Sequence, residues 1–185
     1  MNAVHRTLLA AAFLAASAAT LAADNDANFW QTPALQGVGK MHPLPQAAYQ
    51  PQKEATYKIV FNLTKGADQP GDVNGSLERV ARTVNLYASA GVPLDHMKFV
   101  AVISGPATAA ALDNEHYKQQ LGSDNPNLVL IHKLRAAGID VAVCGQAVAE
   151  HKYEYTWINS EVTLALSALT TITVLQTQGY ALVPL

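Results

Sequence analysis

Five short apolar runs alternate with helical stretches that stop at glycine, and this alternation constrains the chain more than any other feature. The runs are "YKIVFNL" (57–63), "KFVAVIS" (98–104), "VAVC" (141–144), "VTLAL" (162–166) and "YALVP" (180–184). They are nearly continuous in apolar residues, the pattern of strands covered on both faces. Between them, "NGSLERVARTVNLYASAG" sets Leu77, Val80, Ala81, Val84 and Ala88 on one stripe, with Glu78, Arg79 and Arg82 outside it and Gly91 as the stop. "DNPNLVLIHKLRAAG" offers Asn125 as cap, Pro126 at the first helical position and Gly138 as stop, and "SALTTITVLQTQG" offers Ser167 and Gly179. Strands and helices in this order call for right-handed crossovers. The expected fold is a three-layer α/β domain around a mostly parallel five-stranded sheet.

The first two dozen residues stand outside this pattern. His5 and Arg6 precede an apolar stretch from Leu8 to about Leu21, which ends in Ala22 and Ala23 before Asp24. That is the layout of a secretory signal peptide over residues 1–23, cleaved after Ala22 or Ala23. Its Ala-rich middle is shorter than the roughly 20 residues that span a bilayer, so the expectation is an exported, periplasmic protein with no membrane contact after cleavage. Residues 24–55 carry Pro33, Pro43, Pro45 and Pro51 without any helical or strand period. They read either as an extended N-terminal arm, pinned at its start by Phe29 and Trp30, or as a loosely ordered tail. Residues 56–185 then make one α/β domain, long enough for a substantial core. The formal net charge is −2 and Lys and Arg do not cluster, so nucleic acid is not an expected partner.

Open parallel sheets bind ligands beyond the carboxyl ends of their strands. Three strand exits carry candidates: Asn62 to Lys65, Ser104 with Gly105, and Cys144 with Gly145 and Gln146. Cys144 is the only cysteine, which excludes a disulfide within the chain. Gly145 removes a side chain where a substrate or partner sulfur must approach, and "QAVAE" reads as a helical turn whose N–H groups favour a thiolate. The alternative is a small buried side chain at the end of an apolar strand.

His132 reads as a surface residue. His151 follows the cysteine segment and leaves a Cys–His pair open, with no third group to orient it. The histidines lack metal spacing and a lone cysteine makes no zinc framework, so no metal is expected. "GDVNG" (71–75) lacks the Gly-Lys-Ser/Thr ending of a phosphate loop and reads as a turn and helix start. "YEYTWIN" (153–159) sets Tyr153, Tyr155 and Trp157 on one side of an extended segment, read as a subunit contact in preference to a pocket wall.

Taken in order, "YKIVFNLTK", "LERVARTVNLYASAGV", "FVAVISGPATAAALD", "NPNLVLIHKLRAAGIDVAVCGQA" and "SALTTITVLQTQGYALVP" resemble the DsrE/DsrF-like family, in its exported branch. The resemblance runs from about Tyr57 to Leu185, its most specific element is "VAVCGQA", and the arm "FWQTPALQGVGKMHPLP" is similar to that of exported members. It implies a flavodoxin-like fold, homo-oligomeric assembly, and a cysteine that carries sulfur as a persulfide between donor and acceptor proteins without a cofactor. The matching position is Cys144, with Asn62, Ser104, Gly105, Gly145 and Gln146 as the binding residues around it. Sulfur-relay members act in the cytoplasm, whereas this chain carries an export signal into a more oxidising compartment. Two other functions remain open. One is a non-catalytic oligomeric module for small-molecule binding or assembly; the other is a thiol redox sensor.

Overall fold

All five strands run in the same direction. The structure is a computed structural model and describes residues 29–185; the segment expected to be a signal peptide and the first residues of the arm lie outside the described residues. The strands are β1 (Tyr57–Leu63), β2 (Met97–Ile103), β3 (Asp140–Cys144), β4 (Thr163–Ala165) and β5 (Ala181–Pro184). They form one parallel sheet in the order β4-β3-β2-β1-β5. The helices are α1 (Gly75–Ser89), α2 (Asn114–Leu121), α3 (Leu128–Ala136), α4 (Gly145–Glu150) and α5 (Ala168–Thr177).

The strand order determines how the two faces are covered. From β1 to β4 the chain steps in one direction, and right-handed crossovers stepping one way place their helices on one face. α1 and α3 accordingly pack together against β1, β2 and β3. The last connection reverses across the whole sheet to set β5 beside β1, which places α5 on the opposite face, against β1, β2 and β5.

The two faces differ in depth. On the first, Ile59, Phe61, Leu63, Phe99, Ile103 and Val143 meet Leu77, Val80, Val84, Leu130, Ile131 and Leu134, all buried. On the second, Val60, Val100, Val102 and Cys144 lie beneath Ala168, Ile172 and Leu175. A ten-residue helix is about 15 Å long and five strands span about 19 Å, so α5 covers its face incompletely. Leu166 and Leu169 remain 72% and 79% exposed, and Val174 and Leu182 are exposed with them.

Most helix boundaries agree with the caps read from the sequence. Asn74 caps α1 and Ser167 caps α5 through their side chains, and Gly91, Gly138 and Gly179 follow α1, α3 and α5 with positive φ. α3 starts later than expected, at Leu128. Asn125 caps nothing there; its Oδ1 accepts the N–H of Asn127 in a turn ahead of the helix. "YEYTWIN" is not extended, since Tyr155–Trp157 form a 3₁₀ turn. α2 and the 3₁₀ segment Gly105–Ala111 have no counterpart in the sequence reading.

The arm folds back onto its own domain. Gln31 and Met41 pair in an antiparallel bridge, and Leu35 and Met41 are buried. Buried Asn85 of α1 clamps the loop between them: Oδ1 accepts the N–H groups of Ala34 (3.0 Å) and Leu35 (2.8 Å), and Nδ2 donates to the carbonyls of Val38 and Gly39 (both 2.9 Å). Gly39 lies so close to α1 that a Cβ would fall 2.4 Å from the backbone of Ala81 and Arg82, and its φ is +61°. Phe29 and Trp30 are exposed and pack on His42 of the arm itself, so the pin lies at Leu35 and Asn85 and not at the two aromatics. Asn85→Ala strands the buried N–H of Leu35 and is expected to cost about 2–3 kcal/mol. A lower urea midpoint together with protease cleavage within residues 30–50 checks this; unchanged protection of the arm refutes it.

Candidate functional site

The ladder register brings three of the expected residues to one face at the carboxyl edge. Val60 lies on the α5 face, and alternation along β1 sets Asn62 on that face too. Asn62 is opposite Val102, and Val102 is opposite Ala142. One rung further, Ser104 is still extended (φ −156°, ψ 173°) and its N–H bonds to the carbonyl of Leu63 at 2.9 Å. Ser104 therefore falls beside Cys144, one strand spacing away, while Asn62 is about 12 Å from Cys144 by strand and rung spacings. The Oδ1 of Asn62 is buried and unpaired.

Cys144 ends β3 and caps α4. Its Sγ accepts the N–H of Ala147 at 3.4 Å, the position an N-cap oxygen normally takes. The unpaired N–H groups of a first helical turn stabilise negative charge on such an atom. The side chain is 6% exposed and packs with Val60, Val100, Val102, Ala147 and Ala168.

Gly145 is required by packing. A Cβ there would lie 2.8 Å from the carbonyl oxygen of Ala165 and 3.4 Å from that of Leu166, so the absent side chain admits β4. Beside it, Gly145, Gln146, Tyr155, Leu164, Ala165 and Leu166 line a cleft of about 250 Å³. Cys144 lies one residue behind this wall. Gln146 bridges the cleft, its Nε2 donating to the carbonyl of Leu166 at 3.2 Å. Leu164 and Leu166 were not candidates in the sequence; Tyr155 reads there as a subunit contact in preference to a pocket wall, and in the structure it lines this cleft.

Gly105 has φ +52°, and its carbonyl meets Nε2 of His151 at 3.0 Å and accepts the hydroxyl of Thr108 at 2.7 Å. His151 is at the far end of α4 from Cys144, about 10 Å along the helix, and stacks on Tyr153. No Cys–His pair forms. Tyr153 also packs on Trp157, which stacks on His116 with ring centroids 4.6 Å apart. Two of the three aromatics thus pack within the chain, and Tyr155 alone is exposed. Burial opposes the charge on Asp113, yet hydrogen bonds from the backbone N–H and ring of His116 outweigh it and hold the carboxyl below its usual pKa. That stabilisation is complete above the unfolded carboxylate's pKa of about 3.9 and is lost as pH falls through the lower folded value. His132 is exposed and bonds to Glu161.

The connections that leave β1 and β2 are tied together by buried asparagines. Asn127 Oδ1 accepts the N–H of Asn74 at 2.7 Å, and Asn125 Oδ1 accepts both the N–H and the side-chain amide of Asn127. Asn125 Nδ2 donates to the carbonyls of Ala110 and Leu112, and Asn74 Nδ2 to that of Lys65. Among the described residues, no three His, Cys, Asp or Glu side chains converge as metal ligands, and no helix is long and apolar enough to cross a membrane.

An all-parallel α/β sheet that delivers a cysteine to the start of a short helix defines a thiol-bearing α/β domain. The chain belongs to the DsrE/DsrF-like family, whose profile matches residues 57–185; the family is associated in general with sulfur relay. Solved structures share the fold. A protein of unknown function, MTH1491 from Methanobacterium thermoautotrophicum, is 16% identical with a TM-score of 0.52, covering 70% of this chain and 99% of its own. The ychN protein from E. coli is 12% identical with a TM-score of 0.50, covering 70% and 100%. No curated protein matches the chain.

Gly145→Ala is expected to push β4 outward and cost about 1–3 kcal/mol, whereas Gly71→Ala, where a Cβ meets nothing within 4 Å, stays within about 0.5 kcal/mol. Urea unfolding of both variants checks the contrast, and equal midpoints would remove the close-packing account of Gly145.

Proposed function

We propose that this protein is exported and carries sulfane sulfur as a persulfide on Cys144, receiving it from a donor and passing it to an acceptor thiol. The observation that carries this reading is the Ala147 N–H aimed at Sγ where β3 meets α4, in a chain of the DsrE/DsrF-like family. The Cys144 thiolate attacks the outer sulfur of a donor persulfide, R–S–SH. A sulfur–sulfur bond forms to Cys144 as the donor's breaks, the donor leaves as R–S⁻, and the proton remains on the new Cys144 persulfide. An acceptor thiolate then attacks that outer sulfur and restores the Cys144 thiolate. Both steps are exchanges without net oxidation, so the cysteine suffices without a cofactor. The first turn of α4 stabilises the thiolate at the start and end of the cycle.

Access runs through the cleft of Gly145, Gln146 and Tyr155, and the Gln146–Leu166 bond is its latch. A second copy of this chain covers the α5 face in our reading. Leu166, Leu169, Val174 and Leu182 are large apolar side chains left exposed on or beside α5, and apolar side chains exposed together mark interaction surfaces. The basic, apolar and small-residue layout of residues 1–23 supports export.

A second reading rests on the burial of Cys144 among valines and Ala168: a binding or assembly module whose thiol only fills space. The two separate by intact mass after brief exposure to polysulfide. The wild type is expected to gain reducible sulfur and Cys144→Ser none. No gain, with a thiol also inert to a small alkylating reagent, leaves the module. Gln146→Ala is expected to speed alkylation of Cys144 several-fold, and an unchanged rate rejects the latch. Leu169→Glu is expected to lower the mass found by sedimentation to that of a monomer; an assembly indifferent to this change places the subunit contact elsewhere.

A further inference from the structure

We infer that the β1–α1 loop forms a binding site for a doubly charged tetrahedral oxyanion of the sulfate or phosphate kind, separate from the Cys144 cleft. The loop that begins at Lys65 and ends at the cap Asn74 encloses a second cleft of about 230 Å³, lined by Lys65, Gly66, Asp68, Gly75, Ser76 and Arg79 among others. Three independent features converge there. The first is charge. Neither the Lys65 ammonium nor the Arg79 guanidinium has a carboxylate or hydrogen-bond partner among the described residues; the Lys and Arg ion pairs involve Lys53, Lys118 and Arg135. Asp68 stands in the same cleft, leaving a balance of one positive charge, to which the N-terminus of the fifteen-residue α1 adds.

The second feature is an unpartnered donor. Ser76 is 5% exposed, and its backbone N–H is taken by Asn74. Its hydroxyl makes no hydrogen bond among the described residues, and the surface that Ser76 keeps lines this cleft. The third feature is approach. Asn74 Oδ1 satisfies the N–H groups of Ser76 and Leu77, which leaves the N–H of Gly75 as the unpaired donor of the first turn. A Cβ at Gly75 would meet nothing within 4 Å, so the way to that N–H is open. An oxyanion there takes hydrogen bonds from the Gly75 N–H and the Ser76 hydroxyl and is held between Lys65 and Arg79.

The loop is held firmly: Asn74 ties it to α3 through Asn127, and Gly66 packs against the carbonyl of Pro106, where a Cβ would approach to 3.1 Å. "GDVNG" is thus no phosphate-loop motif, yet it closes a loop around a cationic cleft.

The test is titration of the full chain with sodium sulfate, sodium phosphate and a phosphomonoester, each against sodium chloride at matched ionic strength, read by calorimetry and by amide chemical shifts. Saturable binding is expected, with the largest shifts at Gly75 and Ser76. Arg79→Gln is expected to weaken it about tenfold, the loss of one charged hydrogen-bonding partner, and Asp68→Asn to tighten it. Tighter binding of the monoester than of inorganic phosphate identifies the end group of a larger ligand, and equal binding identifies a free ion. No saturable binding beyond chloride, shifts centred away from Gly75 and Ser76, or equal affinity in Arg79→Gln overturns the site. The mapping on the wild type stands even where a variant fails to fold, and none of these readouts depends on sulfur transfer by Cys144.

Discussion

The carboxyl edge of this sheet depends on asparagine side chains that bond to backbone as if they were pieces of main chain. A parallel sheet leaves its strand exits as loops, and each loop brings backbone N–H and carbonyl groups that must be paired where they are buried. Asn74, Asn125 and Asn127 pair them across the connections that leave β1 and β2. An amide suits this task because it offers two donors and a two-fold acceptor on a short stem and carries no charge to desolvate. Asn85 repeats the device on the flank of α1, where four bonds fasten the arm. Against this background the unpaired Oδ1 of Asn62 stands out. It is a buried acceptor on the Cys144 face that the fold itself does not use.

Elements framed by apolar periodicity and by caps were legible in the sequence, because the same local rules operate in the folded chain. Asn74, Ser167 and the glycines after α1, α3 and α5 bound their helices directly. What escaped has a common cause. α2 buries only Tyr117 and is otherwise polar, so it has no stripe to detect. Asn85 lies on the buried side of α1 at a position that a search for apolar residues passes over. The start of α3 moved because Asn125 and Asn127 are equally good local caps, and the choice was made by partners far away in sequence, Asn74 and the carbonyls of Ala110 and Leu112.

The site was legible to the same depth. The rule that ligands meet parallel sheets at carboxyl ends, with two-residue alternation, is enough to bring Ser104 beside Cys144 and to set Asn62 on their face. It says nothing of the edge strand. Gly145 has no side chain because the carbonyl of Ala165 needs the space, a contact between segments twenty residues apart, and the cleft walls come from that same strand. His151 shows the converse error, since closeness in sequence to Cys144 becomes separation by the length of α4 once the segment between them is helical.

Burial of the thiol and a role in sulfur transfer are compatible because of how α5 is held. A persulfide exposed to an oxidising compartment is vulnerable to further oxidation, so a carrier gains from shelter and needs release on demand. The cover over Cys144 is lightly held: of α5 only Ala168 is buried, and β4 contributes three residues to the sheet. Segments with few buried contacts open at a fraction of the global unfolding free energy, whereas the opposite face, with Phe61, Phe99, Leu130 and Leu134 fully packed, does not. The asymmetry follows from the strand order, which leaves a single helix to cover one face. The same chain reversal that thins the cover over Cys144 also sends the exit of β4 to the opposite face from the exit of β3, so the cleft beside Gly145 lies where the crossovers change faces.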